Sequence, residues 1–376
     1  MKFLHTGDWH IGKKLNGFDL LEEQRYAFEQ VMKLAATEKV DGIIIAGDLY
    51  DRTVPAVEAV ELFNQMLIDM NLKAAYPVFA ISGNHDSATR LETGGPWFEA
   101  LNFHLHTRLE QAFRPVECGD VQLYLLPYFE PFEARQYFQD DSIRSIDVAM
   151  EAVIAEMRKS FQGDKQQVLV AHFFVAGSST SDSETKVTVG GLDVVPLALL
   201  SDFDYVALGH LHYKNALNGA NARYSGSLLK YSTSEVNQPK GVWIVDVGHE
   251  TTFDFVELPF LRDLNVLETD FATLMDPAYY DTIQRDNYLA ISLTDRGVIP
   301  NVMTQLRTIY PRIIQLERAF GRDIKQASRK TTEAIQVTSP TELFANYFSE
   351  TTGEPLSEKQ VAWLEAEISQ IEKGEQ

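Results

Sequence analysis

The sequence has a single cysteine and no long apolar run. Because Cys118 is the only cysteine among 376 residues, no disulfide can form within the chain. The lack of further thiolates also argues against a structural zinc site. The apolar stretch of the N-terminal MKFLHTGDWH is too short for a signal peptide, and no candidate membrane span follows it. We therefore expect a cytoplasmic protein with a reduced thiol and no attachment to a membrane.

Basic residues are also scarce. Lysine and arginine together number 33 against 54 aspartates and glutamates, which gives a net charge of −21 at pH 7. A protein that binds nucleic acid by itself usually presents a basic surface, because lysine and arginine displace the counterions of phosphate. Either the substrate is not a polymer, or local basic patches, metal ions and a partner protein supply the attraction.

Short apolar runs, each followed by a polar cluster, recur through the first 250 residues. They cover residues 3–5, 41–46, 78–81, 168–171 and 205–208. Continuous apolar runs of this length are typical of strands buried on both faces. Amphipathic stretches at 22–36 and 57–70 have helical periodicity, and strand alternating with helix predicts a layered α/β fold. Functional residues of such folds gather at the carboxyl ends of the strands, where these clusters lie.

The rest of the chain predicts two smaller parts. A strand at 241–247 and Pro259 mark the end of a first domain, 1–258. Residues 259–337 are expected to form a small α+β cap domain, and residues 338–376 a C-terminal helical segment. That segment carries two apolar stripes, which either dock on a partner or pack back on their own domain. The stripes are Leu343, Phe344, Tyr347 and Phe348, and Val361, Leu364, Ile368 and Ile371, the second opened by Ser357 and Gln360 in capping-box spacing.

Aspartate, asparagine and histidine dominate the polar clusters at the strand ends. The seven candidate metal ligands are Asp8, His10, Asp48, Asn84, His172, His210 and His212. Carboxylate and imidazole groups with one amide oxygen suit divalent manganese, iron or zinc. Seven ligands are too many for one ion, whereas two ions about 3.5–4 Å apart that share a carboxylate would use them all. Asp48 is the natural bridge, because it stands alone at its strand end.

Taken together, the motifs resemble a known family. The series HTGDWHIG, AGDLYDR, SGNHDSATR, a lone histidine and GHLH is similar to the motifs of the calcineurin-like metallophosphoesterases. With YSGSLLKYSTSE, it resembles the bacterial exonuclease subunits of the SbcD type and the nuclease subunit of the archaeal and eukaryotic break-repair complex. The resemblance covers nearly the whole chain. It implies a layered metallophosphoesterase β-sandwich with flanking helices, a small α+β cap domain and C-terminal helices.

The resemblance also implies a division of the ligands between two metals. One ion would be held by Asp8, His10, Asp48 and His212, and the other by Asp48, Asn84, His172 and His210. Family members use two manganese ions, with magnesium a less effective substitute. They degrade duplex DNA 3′→5′ from its ends and act on hairpins and single strands. They work as homodimers bound to a coiled-coil ATPase of the SbcC or Rad50 type, in a heterotetramer.

Residues beside the ligands have other expected roles. His85 is a poor candidate for a ligand, since consecutive loop residues rarely both point at one ion. We expect it to stabilise the phosphoryl group or protonate the leaving oxygen, the alternative being that it orients a ligand. Asp86 is expected to accept the free N–H of a ligating histidine. The archaeal enzymes carry a second histidine where this chain has Asp51, so no role in handling DNA is implied there.

A local excess of basic residues predicts where DNA would bind. Residues 296–330 contain eight lysines and arginines against Glu317 and Asp323. Arg318, Arg322 and Arg329 are candidate phosphate contacts, the alternative being a solvated helical face. Arg90, which follows the GNHD motif, is a weaker candidate. His104 and His106 match no motif of the family and are expected to belong to an ordinary strand.

Two other functions are compatible with the same sequence. A phosphatase or nucleotide phosphodiesterase could use the same metal core, because a fold does not fix its substrate. A scaffold that binds DNA ends and an ATPase without cutting is a third interpretation. The complete ligand set argues against the scaffold, which has no need of seven converging ligands.

Overall fold

The computed structural model describes residues 1–179, 194–217, 219–319, 341, 344–345, 347–349 and 354–374. The chain divides into two compact units, Met1–Asp263 and Leu264–Gln376. The first unit ends a few residues after residue 258, where the sequence suggested the end of the first domain. No helix in these described ranges is long and apolar enough to cross a membrane.

The strands of the described residues are, in chain order, β1 (Lys2–Thr6), β2 (Lys14–Leu15), β3 (Phe18–Asp19), β4 (Gly42–Ile45), β5 (Val78–Ile81), β6 (Phe103–His106), β7 (Val116–Cys118), β8 (Val121–Leu126), β9 (Gln166–His172), β10 (Tyr205–Gly209), β11 (Ala222–Tyr224), β12 (Gly241–Asp246), β13 (Thr252–Glu257), β14 (Leu264–Thr269), β15 (Tyr288–Leu293) and β16 (Ile313–Arg318). The α-helices are α1 (Leu21–Glu38), α2 (Val57–Leu67), α3 (Ala88–Leu91), α4 (Gly95–Glu99), α5 (Pro131–Phe138), α6 (Ile146–Arg158), α7 (Phe271–Met275), α8 (Pro277–Tyr280), α9 (Val302–Arg307) and α10 (Glu358–Gly374). A π-helical turn, Ile68–Lys73, continues α2, so the helix expected over 57–70 changes its winding near its end.

The first unit is a sandwich of two sheets. One sheet has the strand order β13-β12-β1-β4-β5-β6, and the other has the order β11-β10-β9-β8-β7. In the first sheet β1, β4, β5 and β6 are parallel, and in the second β8, β9, β10 and β11 are parallel. The layered α/β architecture expected from the sequence is confirmed. Parallel strands end together, so their carboxyl ends share one edge of each sheet.

Apolar side chains fill both faces of these sheets. Phe3, Ile44 and Phe79 of the first sheet meet Leu123 and Val170 of the second in a core between the two layers. Another cluster packs α5 and α6 against the second sheet. Each fully buried side chain of this size stabilises the fold by roughly 1.5–3 kcal/mol. Covering both faces explains why the strands are continuous apolar runs in the sequence.

The second unit contains a smaller sheet with the order β14-β15-β16, all parallel. Leu274, Leu289 and Leu306 belong to its core, which joins the sheet to α7 and α9. The capping box predicted at the start of the last helix is confirmed. Oε1 of Gln360 accepts from the backbone N–H of Ser357 at 2.9 Å, and Oγ of Ser357 accepts from the backbone N–H of Gln360 at 3.4 Å.

Candidate metal centre

The structure brings all seven predicted ligands together at the carboxyl ends of the sandwich strands. Asp8 and His10 follow β1, Asp48 follows β4 and Asn84 follows β5, while His172 ends β9 and His210 and His212 follow β10. Five of the seven are buried, and Asn84 and His210 are half-buried. The parallel strands therefore bring residues that are far apart in the sequence together in one cluster.

The backbone at these strand ends is strained. Asp8, His10, Asp48 and His210 have φ values of 50°, 46°, 50° and 93°. Such values cost non-glycine residues about 1–3 kcal/mol each, and they persist where the surrounding structure holds them. Here the loops after β1 and β4 hold each other, since the N–H of Asp8 donates to the carbonyl of Gly47 at 3.0 Å. Strain of this kind concentrates at functional sites.

Glycines of two motifs allow this close packing. A Cβ on Gly83 of the GNHD motif would overlap the carboxylate of Asp48. A Cβ on Gly209 of the GHLH motif would overlap the carbonyl oxygen of Ala46. Any side chain at either position would push the neighbouring strand ends apart, so the motif glycines are required by the packing around the ligands.

The first group of potential ligands contains Asp8, His10 and His212. Their ligand atoms all lie within 4.8 Å of one another. Nε2 of His10 is 3.1 Å from Nε2 of His212 and 3.6 Å from Oδ2 of Asp48. This geometry can hold one divalent cation.

The second group contains Asp8, Asp48 and His172, again within 4.8 Å of one another. Oδ2 of Asp48 is 3.3 Å from Nε2 of His172. Oδ1 of Asn84 lies 3.0 Å from Nε2 of His172 and 3.0 Å from Nδ1 of His210. One oxygen of Asp48 is therefore close to a histidine of each group, as a shared carboxylate must be.

The directions of the donor atoms fit cations. Nδ1–H of His172 donates to the carbonyl of Ala46 at 2.8 Å, which leaves the lone pair on Nε2, the atom that faces Oδ1 of Asn84. When the ring is neutral, this lone pair converges with Oδ1 of Asn84 and Oδ2 of Asp48, and all three atoms can bind a cation. Nδ1 of His10 is buried without a hydrogen-bond partner among the residues that the structure describes.

The charges of the cluster point the same way. Burial raises the pKa of Asp8 to about 7, although His172 and His212 act in the opposite direction. Burial alone would also raise the pKa of Asp48, but His172 and His10 hold it well below its usual range. Burial would lower the pKa of His172, yet the carboxylate of Asp48 raises it to about 9. Neighbouring histidines thus hold Asp48 in its charged form, and a divalent cation bound beside Asp8 would do the same for that carboxylate.

His85 lies beside the cluster in the same loop as Asn84. Its backbone N–H donates to Oδ1 of Asp48 at 2.9 Å, and its Nδ1–H donates to the carbonyl of Asp51 at 2.8 Å. Its ring meets the ring of His10 edge to face, with 4.8 Å between centroids. Atoms of His10, Asp51 and His85 form a third group within 4.8 Å. His85 is therefore close enough to the cluster either to bind an ion with His10 and Asp51 or to reach a bound substrate.

Asp86 has a different role from the one predicted. Its carboxylate accepts the backbone N–H groups of Gly83, Leu49 and Tyr50 at 2.9, 3.0 and 2.9 Å, and no described histidine donates to it. The expectation that it orients a ligating histidine is wrong. Asp86 joins the GNHD loop to the backbone that follows Asp48, and so fixes the ligand through its main chain.

Several supporting residues were not identified from the sequence. Nε2 of Gln24 donates to the carbonyl of His10 at 2.8 Å, and the hydroxyl of Tyr231 donates to the carbonyl of Trp9 at 2.6 Å. Oγ of Ser225 donates to Oδ2 of Asp8 at 3.3 Å. Ser225 and Tyr231 belong to YSGSLLKYSTSE, a motif that indicated the region without identifying the contacts. Gln24 lies in α1 and has no motif that could have identified it.

The candidate DNA contacts are only partly described. Arg90 in α3 and Arg318 at the end of β16 are exposed, and Nη1 of Arg318 donates to the carbonyl of Asp295 at 2.8 Å. Arg322 and Arg329 lie outside the described residues. Arg312 of the same basic stretch forms an ion pair with Asp286, and this pair reduces the excess positive charge of the stretch.

His104 and His106 lie in the edge strand β6, as expected for residues outside the motifs. Nδ1 of His104 is 2.6 Å from Oε2 of Glu99, and Nδ1 of His106 is 3.2 Å from the carbonyl of Leu125. Both side chains thus have local hydrogen-bond partners within the sandwich.

The chain is similar to known proteins over most of its length. Residues 1–214 match the family model of the calcineurin-like phosphoesterases, and residues 260–352 match a model described as the type 5 capsule protein repressor C-terminal domain. The SbcD subunit of nuclease SbcCD from Staphylococcus epidermidis is 38% identical over 318 residues, which are 84% of this chain and 85% of that protein. The SbcD subunit from Staphylococcus saprophyticus is 34% identical over 366 residues, 97% of each chain.

A solved structure of a dimetal phosphatase from Danio rerio is also similar. Its TM-score is 0.42 and its sequence identity 10%, with 69% of this chain and 98% of that chain covered. The family model and the two relatives confirm the predicted fold, and that fold implies a divalent metal site. The chain belongs to the calcineurin-like phosphoesterase family and, within it, groups with the SbcD subunits of SbcCD nucleases.

Proposed function

We propose that the chain is a two-metal DNA nuclease, the catalytic subunit of an SbcCD-type complex. The single observation that supports the two-metal centre is the position of Asp48 between histidines of the two ligand groups: its Oδ2 is 3.6 Å from Nε2 of His10 and 3.3 Å from Nε2 of His172. One ion would use Asp8, His10, Asp48 and His212. The other would use Asp48, Asn84, His172 and His210. We propose manganese as the preferred ion over magnesium, because imidazole ligands favour it.

Bound divalent ions lower the pKa of a water and neutralise phosphate oxygens. The protein's own contribution is positioning. Asp8 accepts the backbone N–H of His210 at 2.9 Å, and Asp86 fixes the loop of Asp48, so the ligands are held before substrate binds. Preorganisation of this kind supplies most of the rate enhancement in phosphoryl transfer.

His85 is proposed to act on the reacting phosphate. Its Nδ1–H is used by the carbonyl of Asp51, which makes Nε2 the atom that can exchange a proton with the substrate. It would stabilise the phosphoryl group or protonate the leaving oxygen. The alternative is that His85 belongs to an ion site with His10 and Asp51. The manganese content of a His85 variant tests this alternative.

DNA as the substrate is supported by the relatives rather than by the metal ligands. Both Staphylococcus proteins are named nuclease subunits, and the similarity to one of them spans 97% of each chain. We propose 3′→5′ cutting from duplex ends and endonucleolytic cutting of hairpins and single strands. Residues 259–337 would act as the DNA-binding cap domain, with Arg318, Arg322 and Arg329 as phosphate contacts, and Arg90 would contact DNA beside the metals.

An SbcC-type coiled-coil ATPase is the proposed partner, since the relatives are named as parts of an SbcCD nuclease. The segment 338–376 is the proposed docking element. Phe344, Tyr347 and Trp363 expose 45%, 64% and 71% of their surface, which suits residues that are covered by another protein. We further propose a homodimer within this complex, working in the cytoplasm.

Two alternative functions remain. The first is a phosphatase or a nucleotide phosphodiesterase on the same metal core, and the second is a scaffold that binds DNA ends without cutting them. Plasmid nicking in the presence of Mn²⁺, measured beside hydrolysis of a phosphomonoester and of a cyclic nucleotide, separates them. We expect nicking, with weaker activity when Mg²⁺ replaces Mn²⁺. Hydrolysis of the small substrates alone would favour the phosphatase, and binding of DNA ends without cutting would favour the scaffold.

A further inference from the structure

A buried ion pair lies directly behind His212. The side chains of Glu235 and Lys240 are 0% and 1% exposed. Taking two charges out of water is costly unless other groups replace the lost solvation, and lysine is rarely enclosed to this degree. The pair belongs to neither group of proposed ligands, so its position needs an explanation.

Lys240 ties several parts of this region together. Its ammonium group donates to Oε2 of Glu235 at 2.5 Å, to the backbone carbonyl of His212 at 2.8 Å and to Oγ of Ser227 at 2.9 Å. These acceptors satisfy the three protons of the ammonium group. Lys240 therefore holds both the main chain of His212 and the carboxylate of Glu235.

Glu235 in turn selects which nitrogen of His212 faces the metal centre. Its Oε1 lies 3.4 Å from Nδ1 of His212, and the carboxylate can only accept, so Nδ1 carries the proton. The lone pair is then on Nε2, the atom that is 3.1 Å from Nε2 of His10. The ring is both oriented and placed in the correct tautomer.

We propose that Glu235, fixed by Lys240, is a positioning residue that sets the affinity of the metal bound by His212. The inference rests on the proposed two-metal function. His172 of the other metal has the neutral carbonyl of Ala46 on its Nδ1, whereas His212 has a carboxylate. A carboxylate partner orients a ligating histidine and increases its basicity. Loss of Glu235 should therefore weaken one metal and spare the other.

The test is Mn²⁺ binding to the full chain by isothermal titration calorimetry, after chelator treatment and without DNA. For Glu235→Gln we expect one of two binding events to weaken by about 10–100-fold, the range found when such partners of metal ligands are changed. The other event should stay within about twofold of wild type. Two unchanged events would overturn the inference, and so would equal weakening of both, because that indicates a general loss of structure.

A double variant separates positioning from folding. Glu235→Gln alone leaves Lys240 buried without its carboxylate, which lowers the melting temperature. Glu235→Gln with Lys240→Met removes both charges, so the melting temperature should recover while the weakened metal site stays weak. Recovery of metal affinity together with stability would make Glu235 a purely structural residue and overturn the proposal.

Glu23 offers a matched control in the same unit. Its side chain is 3% exposed and pairs with Arg262, which also pairs with Glu22, so Glu23→Gln removes one buried carboxylate from an ion-pair cluster. This variant should leave both metal-binding events unchanged. A chain that binds two ions but does not cut DNA would contradict the proposed nuclease, while the Glu235 inference would still be tested by metal binding alone.

Discussion

Replacing His85 by glutamine distinguishes a residue that acts on the substrate from one that binds metal. The backbone N–H of residue 85 donates to Asp48 whatever side chain is present. The glutamine amide can also donate to the carbonyl of Asp51, as Nδ1–H of His85 does. The loop and the carboxylate of Asp48 should therefore keep their positions, and the imidazole alone is lost.

The expected effect is on rate. General acid–base catalysis contributes roughly 10²–10⁴-fold, which equals about 2.7–5.5 kcal/mol of transition-state stabilisation. We expect cleavage of a short single-stranded DNA by His85→Gln to slow by that factor under single turnover. Manganese content and DNA affinity should stay within about twofold of wild type, because the lost interaction is made mainly in the transition state.

His172→Gln is the control for a true ligand. Nε2 of His172 is 3.0 Å from Asn84 and 3.3 Å from Asp48, so its loss should lower metal content as well as rate. Elemental analysis of both variants after gel filtration in the same buffer gives the comparison. If His85→Gln loses as much manganese as His172→Gln, the role proposed for His85 is refuted, and the group of His10, Asp51 and His85 holds an ion.

Three further results are expected. Changing Arg318, Arg322 and Arg329 together to alanine should flatten the salt dependence of DNA binding by about one unit of log–log slope for each lost phosphate contact. An unchanged slope would show that these arginines belong to a solvated face and do not contact DNA. Deleting residues 338–376 should abolish co-purification of the ATPase partner and leave Mn²⁺-dependent cutting of short single strands nearly intact, whereas retained binding would place the docking surface elsewhere. Burial lowers the pKa of His5 to about 3 from 6.5. Between these values the unfolded chain binds a proton that the folded chain does not, so stability falls as pH drops through this window. His5→Gln should reduce the slope of this loss by about 1.4 kcal/mol per pH unit in urea unfolding of the metal-free chain, and an equal slope would show that His5 is not the group.

The position of the candidate metal centre could be predicted from sequence because each candidate ligand lies at the end of a strand or in the loop that follows it. The apolar run before Asp48 and the run before Asn84 both indicate buried strands, and parallel strands bring such ends to one edge. The motif glycines could be read from the sequence, but the packing that requires them could not be predicted. That Gly83 must make room for a carboxylate, and Gly209 for the carbonyl of Ala46, depends on the distance between neighbouring strands.

The partners that orient the ligands could not be predicted. A carboxylate next to a histidine motif suggested that Asp86 accepts from a histidine, but main-chain N–H groups surround it instead. Lys240 and Glu235 approach His212 from residues 28 and 23 positions away, and no periodicity encodes that approach. Contacts with backbone groups leave no trace in residue type, which is why Ala46 could not be identified as the partner of His172.

In the proposed metal centre, the carboxylate of Asp48 is shared by two metal ions. The most direct measurement is the number of manganese ions per chain at saturation, by elemental analysis of the wild-type chain and of Asp48→Asn. We expect two manganese ions per wild-type chain. Asp48→Asn should bind fewer ions and should not cut DNA, because the variant replaces the shared carboxylate of both sites by a neutral amide. A single ion per wild-type chain at saturation would contradict the shared-carboxylate centre.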